Sequence, residues 1–210
     1  MPAADNELRQ FVVAIVDGDT AAVTKMLAAH PRLATAREPN GATRQESTSN
    51  FFTGIGHYIY GGDTALHMAA AGYRVGILQL LLEAGADVEA VNRRGARPLH
   101  YAADTALGHP NWSASAQAQG ITVLINAGAD PNALDKSGVA PLHRAVRTRS
   151  AAAVTALIDG GADPRLPNKT GSTPWKLATI TTGRGGSGSP KAKAQQEEIM
   201  RILERHGAAE

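Results

Sequence analysis

Acid–base side chains are the catalytic chemistry that this sequence could offer. It contains no cysteine, which removes thiolate nucleophiles, thiolate metal ligands and disulfides. Serine is present, but no G-x-S-x-G or comparable nucleophile motif surrounds it. His57, Tyr58, Asp63 and His109 carry groups suited to general acid or base catalysis. No catalytic residue is assigned, and these four side chains are kept as the alternative.

A glycine-rich stretch near the C-terminus, G-R-G-G-S-G-S at residues 183–189, invites comparison with a phosphate-binding loop. It lacks the spacing G-x-x-x-x-G-K-[ST], and no strand precedes it, so a nucleotide would find no scaffold there. We interpret the stretch as a flexible loop, with anion contact through Arg184 or Lys191 as the alternative. No cofactor is predicted.

Four segments of the chain repeat one order of residue types. The segment Gly62–Asn92 reads as a polar turn, a small-residue helix, a second turn, a Leu-rich helix and a Gly-ended loop. The pattern restarts at Gly95, which is 33 residues after Gly62, and again at Gly138 and Gly171. The first helix of each segment starts at a common motif: T-A-L-H (64–67), R-P-L-H (97–100), A-P-L-H (140–143) and T-P-W-K (173–176).

A period near 33 with a T-P-L-H motif resembles the ankyrin-repeat family across nearly the whole chain. The resemblance implies an all-α solenoid of about five stacked helix-turn-helix units with short β-hairpin finger loops, forming a single domain over 1–210. The predicted units are an N-terminal capping repeat (1–37), an aromatic-containing insert (38–61), repeat 2 (62–94), repeat 3 (95–137), repeat 4 (138–170) and a C-terminal capping repeat (171–210).

The motif histidines His67, His100 and His143 could be taken for metal ligands because their spacing is regular. The resemblance instead implies that each one hydrogen-bonds the backbone of a neighbouring finger and fixes the turn. Helices pack roughly 8–10 Å apart, whereas zinc needs every ligand within about 2.0–2.3 Å of one point. A structural role is therefore predicted, and no metal site.

Three inserts depart from the repeat pattern. The first, 38–61, adds about 22 residues where a finger is expected, and the others lie between the two helices of their repeats, at 107–118 and 182–193. The first insert ends in a cluster of rings: Phe51, Phe52, His57, Tyr58 and Tyr60. A disordered loop would be poor in aromatic residues. We therefore predict that this insert packs onto the array through Phe51 and Phe52.

The local patterns also place helix ends. Apolar spacing predicts helices over 7–16 and 20–29, with Thr20 as the cap of the second. In repeat 2 they are predicted at 65–71 and 76–84, closed by a left-handed cap at Gly85. The last helix is predicted over 195–206.

Basic residues are concentrated on one predicted face. The net charge of +2 is too small to indicate nucleic acid, so only the placement of charge is informative. By register, four cations lie at finger tips and two on the first helices of their repeats, which line the concave groove in ankyrin proteins: Arg93, Arg94, Lys136, Lys169, Arg97 and Arg147, with Arg149 nearby. Guanidinium groups bind carboxylates and phosphates bidentately, so an acidic partner is favoured.

No membrane association is predicted either. The longest apolar runs fall short of the roughly 18–20 residues that cross a bilayer, and residues 1–10 lack the basic start of a secretory signal. The expectation is a cytoplasmic, monomeric protein.

The main hypothesis is a non-enzymatic interaction module that binds an acidic peptide or protein segment in a basic groove. Its predicted binding residues are Arg93, Arg94, Arg97, Lys136, Arg147, Lys169, Tyr58 and Trp112. The alternative is a small-molecule-binding protein or acid–base enzyme, with a pocket closed over the groove by the inserts and lined by His57, Tyr58, Tyr60, His109 and Trp112. Self-association through the rings of the first insert is a third possibility.

Overall fold

A computed structural model describes residues 3–43, 45, 47–104, 112–180 and 189–209. These residues form α-helices and one short hairpin. The helices are α1 (Ala3–Asp17), α2 (Thr20–Ala29), α3 (Ala65–Ala71), α4 (Val75–Glu83), α5 (Pro98–Ala103), α6 (Ala114–Asn126), α7 (Pro141–Arg147), α8 (Ala151–Asp159), α9 (Pro174–Thr179) and α10 (Pro190–Arg205), and the strands are β1 (Phe51–Phe52) and β2 (His57–Tyr58).

The helices form two parallel rows. Helices α1, α3, α5, α7 and α9 pack side by side in chain order as a first-helix row, and α2, α4, α6, α8 and α10 form a second-helix row against it. This is the all-α solenoid that the sequence predicts. Among the described helices, none combines the length and the hydropathy that a membrane crossing requires.

Small residues allow the first-helix row to pack this closely. Every residue of α3 is buried, because the helix has α1 on one side, α5 on the other and α4 behind it. Four of its seven residues are alanine, so the neighbouring backbones approach without displacing large side chains. The low aromatic content of 4% beside 43% hydrophobic residues has the same cause.

The predicted helices are present, but α1 begins at Ala3 where the sequence predicts residue 7, and one cap differs. Asp19, not Thr20, caps α2: its Oδ1 accepts a hydrogen bond from the Ala22 N–H at 2.9 Å. A carboxylate at this position meets the partial positive charge of the helix start, and Thr20 already lies inside the helix. The cap at Gly85 is confirmed, with φ at +83°.

The first insert is an ordered hairpin. Its strands pair antiparallel, with Phe51 opposite Tyr58 and Phe52 opposite His57. Phe52 packs on the core as predicted, but Phe51 is 38% exposed and lies 4.7 Å from the ring of Tyr58. The deeper anchors are aliphatic: Ile55 and Ile59, which are 4% and 2% exposed.

The two inter-helix inserts lengthen the second-helix row. Residues 105–111 and 181–188 lie outside the described residues, but the end of each predicted insert is helical. Helix α6 begins at Ala114 with Ser113 as its cap, and α10 begins at Pro190 with Ser189 as its cap. They have 13 and 16 residues, against nine in α4 and α8. The last helix therefore starts earlier than the predicted 195.

Finger loops connect each repeat to the next through main-chain hydrogen bonds. The Arg93 N–H donates to Gly61 O at 2.8 Å, and the Lys136 N–H donates to Arg94 O at 3.0 Å. Between these bonds Gly95 has φ at +75°, and a Cβ there would lie 2.8 Å from Lys136 N. Glycine is required at this position both for its conformation and for its lack of a side chain.

Candidate binding site on the finger face

The fingers and the first-helix row enclose a cleft with a volume of about 220 Å³. We call the surface that these elements form the finger face. The cleft is lined by side chains from the first insert, two successive fingers, α5 and α7: His57, Tyr60, Asn92, Arg94, Ala96, Tyr101, Asp104, Asp135, Ser137, Val139, Arg144 and Arg147.

One arginine joins two elements at this cleft. Arg144 Nη1 donates to Asp104 Oδ2 at 2.8 Å, and its Nη2 donates to Asp135 Oδ2 at 2.9 Å. Burial disfavours the charged form of Asp135. The hydrogen bonds from Arg144 and from the finger backbone outweigh this effect and hold the pKa of Asp135 below its ordinary value. The pKa of Arg144 rises in turn, because the two carboxylates outweigh its burial. Asp135 and Arg144 are therefore both charged at neutral pH.

A buried polar network supports the cleft from behind. Tyr101 Oη donates to Asp63 Oδ2 at 2.8 Å, and Asn92 Nδ2 donates to Asp63 Oδ1 at 2.8 Å. The Tyr60 N–H donates to Asp63 Oδ2 as well, at 2.6 Å. Burial nevertheless raises the pKa of Asp63 to about 6, and the carboxyl group has no exposed surface. These bonds attach the start of α3, the second finger and α5 to one another.

His57 closes the cleft on the insert side. Its ring stacks on Tyr101 with 4.5 Å between ring centroids, and its Nδ1 lies 2.8 Å from Tyr58 O. Burial lowers the pKa of His57 below 6.5, and the nearby Arg144 and Arg94 lower it further against the opposing effect of Asp104. The imidazole is therefore neutral at neutral pH, with Nδ1–H donating to the carbonyl.

Two cations of the cleft have no anionic partner. The Arg94 guanidinium carbon lies 4.9 Å from the centroid of the Tyr60 ring, and Arg147 projects from α7. Both residues are exposed, and within the described chain neither side chain makes an ion pair or hydrogen bond. Because Arg144 satisfies the two carboxylates, these guanidinium groups give the cleft its net positive charge.

Comparison of the sequence with protein-family models identifies the kind of repeat that forms this cleft. The ankyrin-repeat model matches residues 61–93, and a model of multiple ankyrin repeats matches residues 124–178. The chain belongs to the ankyrin-repeat family. No curated protein sequence matches this chain significantly. Ankyrin repeats generally mediate protein–protein interactions.

The motif histidines of the ankyrin array have the structural role that the sequence predicts. His67 Nε2 lies 3.1 Å from Ala96 O, and His100 Nε2 lies 3.0 Å from Val139 O, each in the following finger. Their Nδ1 atoms accept from the N–H of the helix cap. His143 makes the same cap contact, and its ring lies against the backbone of Leu166 and Ser172 in the following finger, although its Nε2 meets no acceptor in good hydrogen-bond geometry within the described chain. No cluster of metal-ligating side chains occurs among the described residues.

The other predicted binding cations are distributed along the finger face. Arg93 donates to Ala42 O and lies near the Tyr60 ring, so it braces the first insert. Arg97 Nε lies 2.5 Å from Glu89 Oε2, although not in hydrogen-bond geometry, so its charge is largely compensated. The side chains of Lys136 and Lys169 are exposed at successive finger tips.

The predicted ring residues do not gather in one place. Tyr58 packs on Phe51 and does not line the cleft, whereas His57 and Tyr60 do. Trp112 lies elsewhere: its Nε1 donates to Gln117 Oε1, and Lys191 Nζ lies 5.4 Å from its ring. Among the described residues, the first insert is thus the one insert that contributes rings to the cleft, and Tyr101 of α5 adds a third ring. His109 lies outside the described residues.

Sequence reasoning missed Arg144 and the Asn or Asp side chain that hydrogen-bonds the backbone of each finger. Arg144 stands one helical turn before Arg147, so the helical spacing that places Arg147 on this face places Arg144 there too. A second signal lies three residues before each finger glycine, where the sequence has Asn92, Asp135 and Asn168. In each finger this side chain accepts hydrogen bonds from the backbone N–H groups two and four residues later.

Proposed function

We propose that this ankyrin protein is an interaction module that binds an acidic segment of a partner protein on its finger face, with Arg94 and Arg147 as the principal charge contacts. The observation that carries the proposal is the pair of unpartnered guanidinium groups on one cleft. A desolvated charge pair between such a group and a partner carboxylate is stronger than a neutral hydrogen bond.

The charge balance of the cleft favours a carboxylate. Its lining contributes three guanidinium groups and two carboxylates, so one positive charge remains when His57 is neutral. An aspartate or glutamate side chain supplies one negative charge and two acceptor oxygens, which matches this excess. A cationic side chain would meet Arg94 and Arg147 and would be repelled.

Exposed cations beyond the cleft extend the same surface. Lys136 and Lys169 stand at the next two finger tips, so an extended acidic segment that enters the cleft would continue along them. Exposed pairs of this kind contribute little to affinity but increase the association rate and the selectivity for acidic partners. Arg97 is expected to contribute less, since Glu89 already compensates its charge.

A random peptide library displayed on phage and selected against the full-length chain tests the proposal. We expect the enriched peptides to be rich in Asp and Glu. The combined substitution of Arg94→Ala and Arg147→Ala should weaken the binding of these peptides at least about tenfold, which is the loss expected for one or two charge-assisted hydrogen bonds. It should also reduce the salt dependence of binding.

The matched control removes two charges from the second-helix row. Lys25 in α2 and Lys193 in α10 are exposed, and Lys25→Ala with Lys193→Ala changes the net charge by the same amount. The control should bind the acidic peptides as the unmodified chain does. Peptides of neutral composition, or acidic peptides that bind both double variants equally, would rule the proposal out.

A further inference from the structure

A second concavity on the finger face has a different charge balance from the cleft. We call it the insert groove: about 420 Å³, between the first insert and the second finger, lined by Ala42, Thr43, Ser47, Tyr58, Tyr60, Arg93 and Arg94. It shares Arg94 and Tyr60 with the cleft. Its described lining includes two guanidinium groups and no carboxylate.

The two arginines are held together over one ring. The guanidinium carbons of Arg93 and Arg94 lie 5.8 and 4.9 Å from the centroid of Tyr60. A bond from Arg93 Nη2 to Ala42 O fixes the first of them on the insert, and the ring limits the freedom of both through cation–π attraction. A ligand that binds here therefore meets two positive charges that are already positioned.

Hydroxyl donors complete the lining. Within the described chain, neither Tyr58 Oη nor Tyr60 Oη makes a hydrogen bond, and Ser47 adds a further hydroxyl group. Tyr60 lies 6.2 Å from Tyr58 between ring centroids, so the two phenols belong to one cluster. The groove thus offers hydroxyl and guanidinium donors around a compact space.

These features point to a phosphoryl group. At pH 7 a phosphomonoester carries about −1.5 to −2 charges and three strong acceptor oxygens, whereas a carboxylate carries one charge. Two guanidinium forks match the phosphoryl charge and bind its oxygens bidentately. A single carboxylate would leave one of the two guanidinium groups without a partner.

We infer that the insert groove binds a phosphoserine or phosphothreonine side chain carried by the acidic segment that occupies the cleft. This inference rests on the proposed function for the source of the phosphate, whereas the phosphate-binding chemistry of the groove is independent of that function. Arg94 lies between the two sites, so one extended segment can place a carboxylate in the cleft and a phosphorylated residue in the groove.

Titration of the full-length chain with O-phospho-L-serine tests the groove without any partner. We expect saturable chemical-shift changes in the backbone amides of Tyr58, Tyr60, Arg93 and Arg94, and none with L-serine at the same concentration. Arg93→Gln and Arg94→Gln should each weaken this binding at least tenfold. An absence of saturable changes, or binding by both variants as tight as that of the unmodified chain, would overturn the inference.

Two further variants separate the groove from simple charge and from misfolding. Lys25→Gln removes one charge from the exposed surface of α2, away from the finger face, and should leave O-phospho-L-serine binding within twofold. Tyr58→Phe removes one hydroxyl group without touching the bond from Arg93 to Ala42, and should weaken binding about threefold. An equal effect of Lys25→Gln and Arg94→Gln would count against a built site.

Peptides identify the source of the phosphate. Each selected acidic peptide is made in two versions, with phosphoserine or with serine at one position. We expect the phosphorylated version to bind at least tenfold more tightly. This preference should be lost in Arg93→Gln and kept in Arg147→Gln. Tight binding of the unphosphorylated peptides with no gain on phosphorylation would refute the inference and leave the proposed function standing. Inorganic phosphate that competes as strongly as the phosphopeptide would assign the groove to a free anion instead.

Discussion

Arg144 satisfies two carboxylates with a single guanidinium group, and this arrangement determines which cations of the cleft stay available. Its removal would leave Asp104 and Asp135 as neighbouring charges, with the side chain of Asp135 only 8% exposed. We expect Arg144→Met to lower the free energy of unfolding by about 3 kcal/mol, because a largely buried charge loses its partner. Urea denaturation followed by circular dichroism measures the change.

An exposed arginine provides the comparison for this substitution. Arg201 in α10 pairs with Glu197 and Glu198, but its side chain is 63% exposed. Exposed pairs contribute about 0–1 kcal/mol, so Arg201→Met should change the free energy of unfolding by less than about 1 kcal/mol. Similar losses for both variants would mean that Arg144 acts as an ordinary surface residue.

The motif histidines make the stability of the array depend on pH. Burial lowers the pKa of His67 to about 3 and that of His100 to about 4, whereas both side chains would titrate near 6.5 in the unfolded chain. Their contribution to stability is complete above pH 6.5 and is lost as the pH falls toward those values. We expect the free energy of unfolding to decrease from pH 7 to pH 5, measured by urea denaturation at each pH.

Asp63 opposes this trend and supplies a control. Since its pKa is raised from 3.8 to about 6, its contribution is present below pH 3.8 and is lost as the pH rises through 6. Asp63→Asn should therefore destabilise the protein less at pH 7 than at pH 5. A larger loss at pH 7 would show that the carboxylate is stabilised in the folded state.

For single residues, the sequence identified those whose role recurs in several repeats and missed those whose role depends on one long-range contact. The three motif histidines recur in the same context, so the family resemblance was sufficient to predict their bonds for His67 and His100. Asp104 and Arg144 are 40 residues apart in the chain, and nothing in the local sequence indicates that they meet.

The first insert illustrates the same limit for a secondary-structure element. Its rings indicated that it packs on the array, which holds for Phe52, but its deepest contacts are made by Ile55 and Ile59. Ile55 Cγ2 lies only 2.8 Å from where a Cβ would stand on Gly72 in the turn after α3. Such close packing depends on the hairpin geometry, which aromatic composition alone does not specify.

Two substitutions distinguish the buried anchor of the first insert from its exposed aromatic ring. Ile59→Ala should lower the free energy of unfolding by about 2–4 kcal/mol, because it leaves a cavity at a fully packed site. Phe51→Ala should cost less than about 1.5 kcal/mol, since that ring is 38% exposed and mainly contacts Tyr58. Chemical denaturation of both variants gives the comparison, and a larger loss from Phe51→Ala would reverse this assignment of the anchor.

At the scale of the whole molecule, a repeat array is stabilised by contacts between successive repeats. The sequence predicts the order of helices well because each repeat contains its own helix start, turn and glycine cap. The charge of the finger face is harder to predict, because pairs such as Arg97 with Glu89 remove cations from the surface that register alone assigns to it.

Substitution of Gly95 tests how strongly the stability of adjacent repeats depends on the main-chain hydrogen bonds between their fingers. Alanine there would need a left-handed backbone and would place its Cβ 2.8 Å from Lys136 N, whose N–H donates to Arg94 O. We expect Gly95→Ala to lower the free energy of unfolding by about 2–4 kcal/mol, from backbone strain and steric overlap together. Hydrogen exchange should show faster exchange at the Lys136 amide and separate opening of the repeats on either side, because each repeat is stabilised only by its neighbours.

Gly76→Ala is the control: no atom lies within 4 Å of its Cβ position in α4, so it should stabilise the protein by up to about 1 kcal/mol. Unchanged protection at Lys136 in Gly95→Ala would mean that helix packing alone couples the repeats.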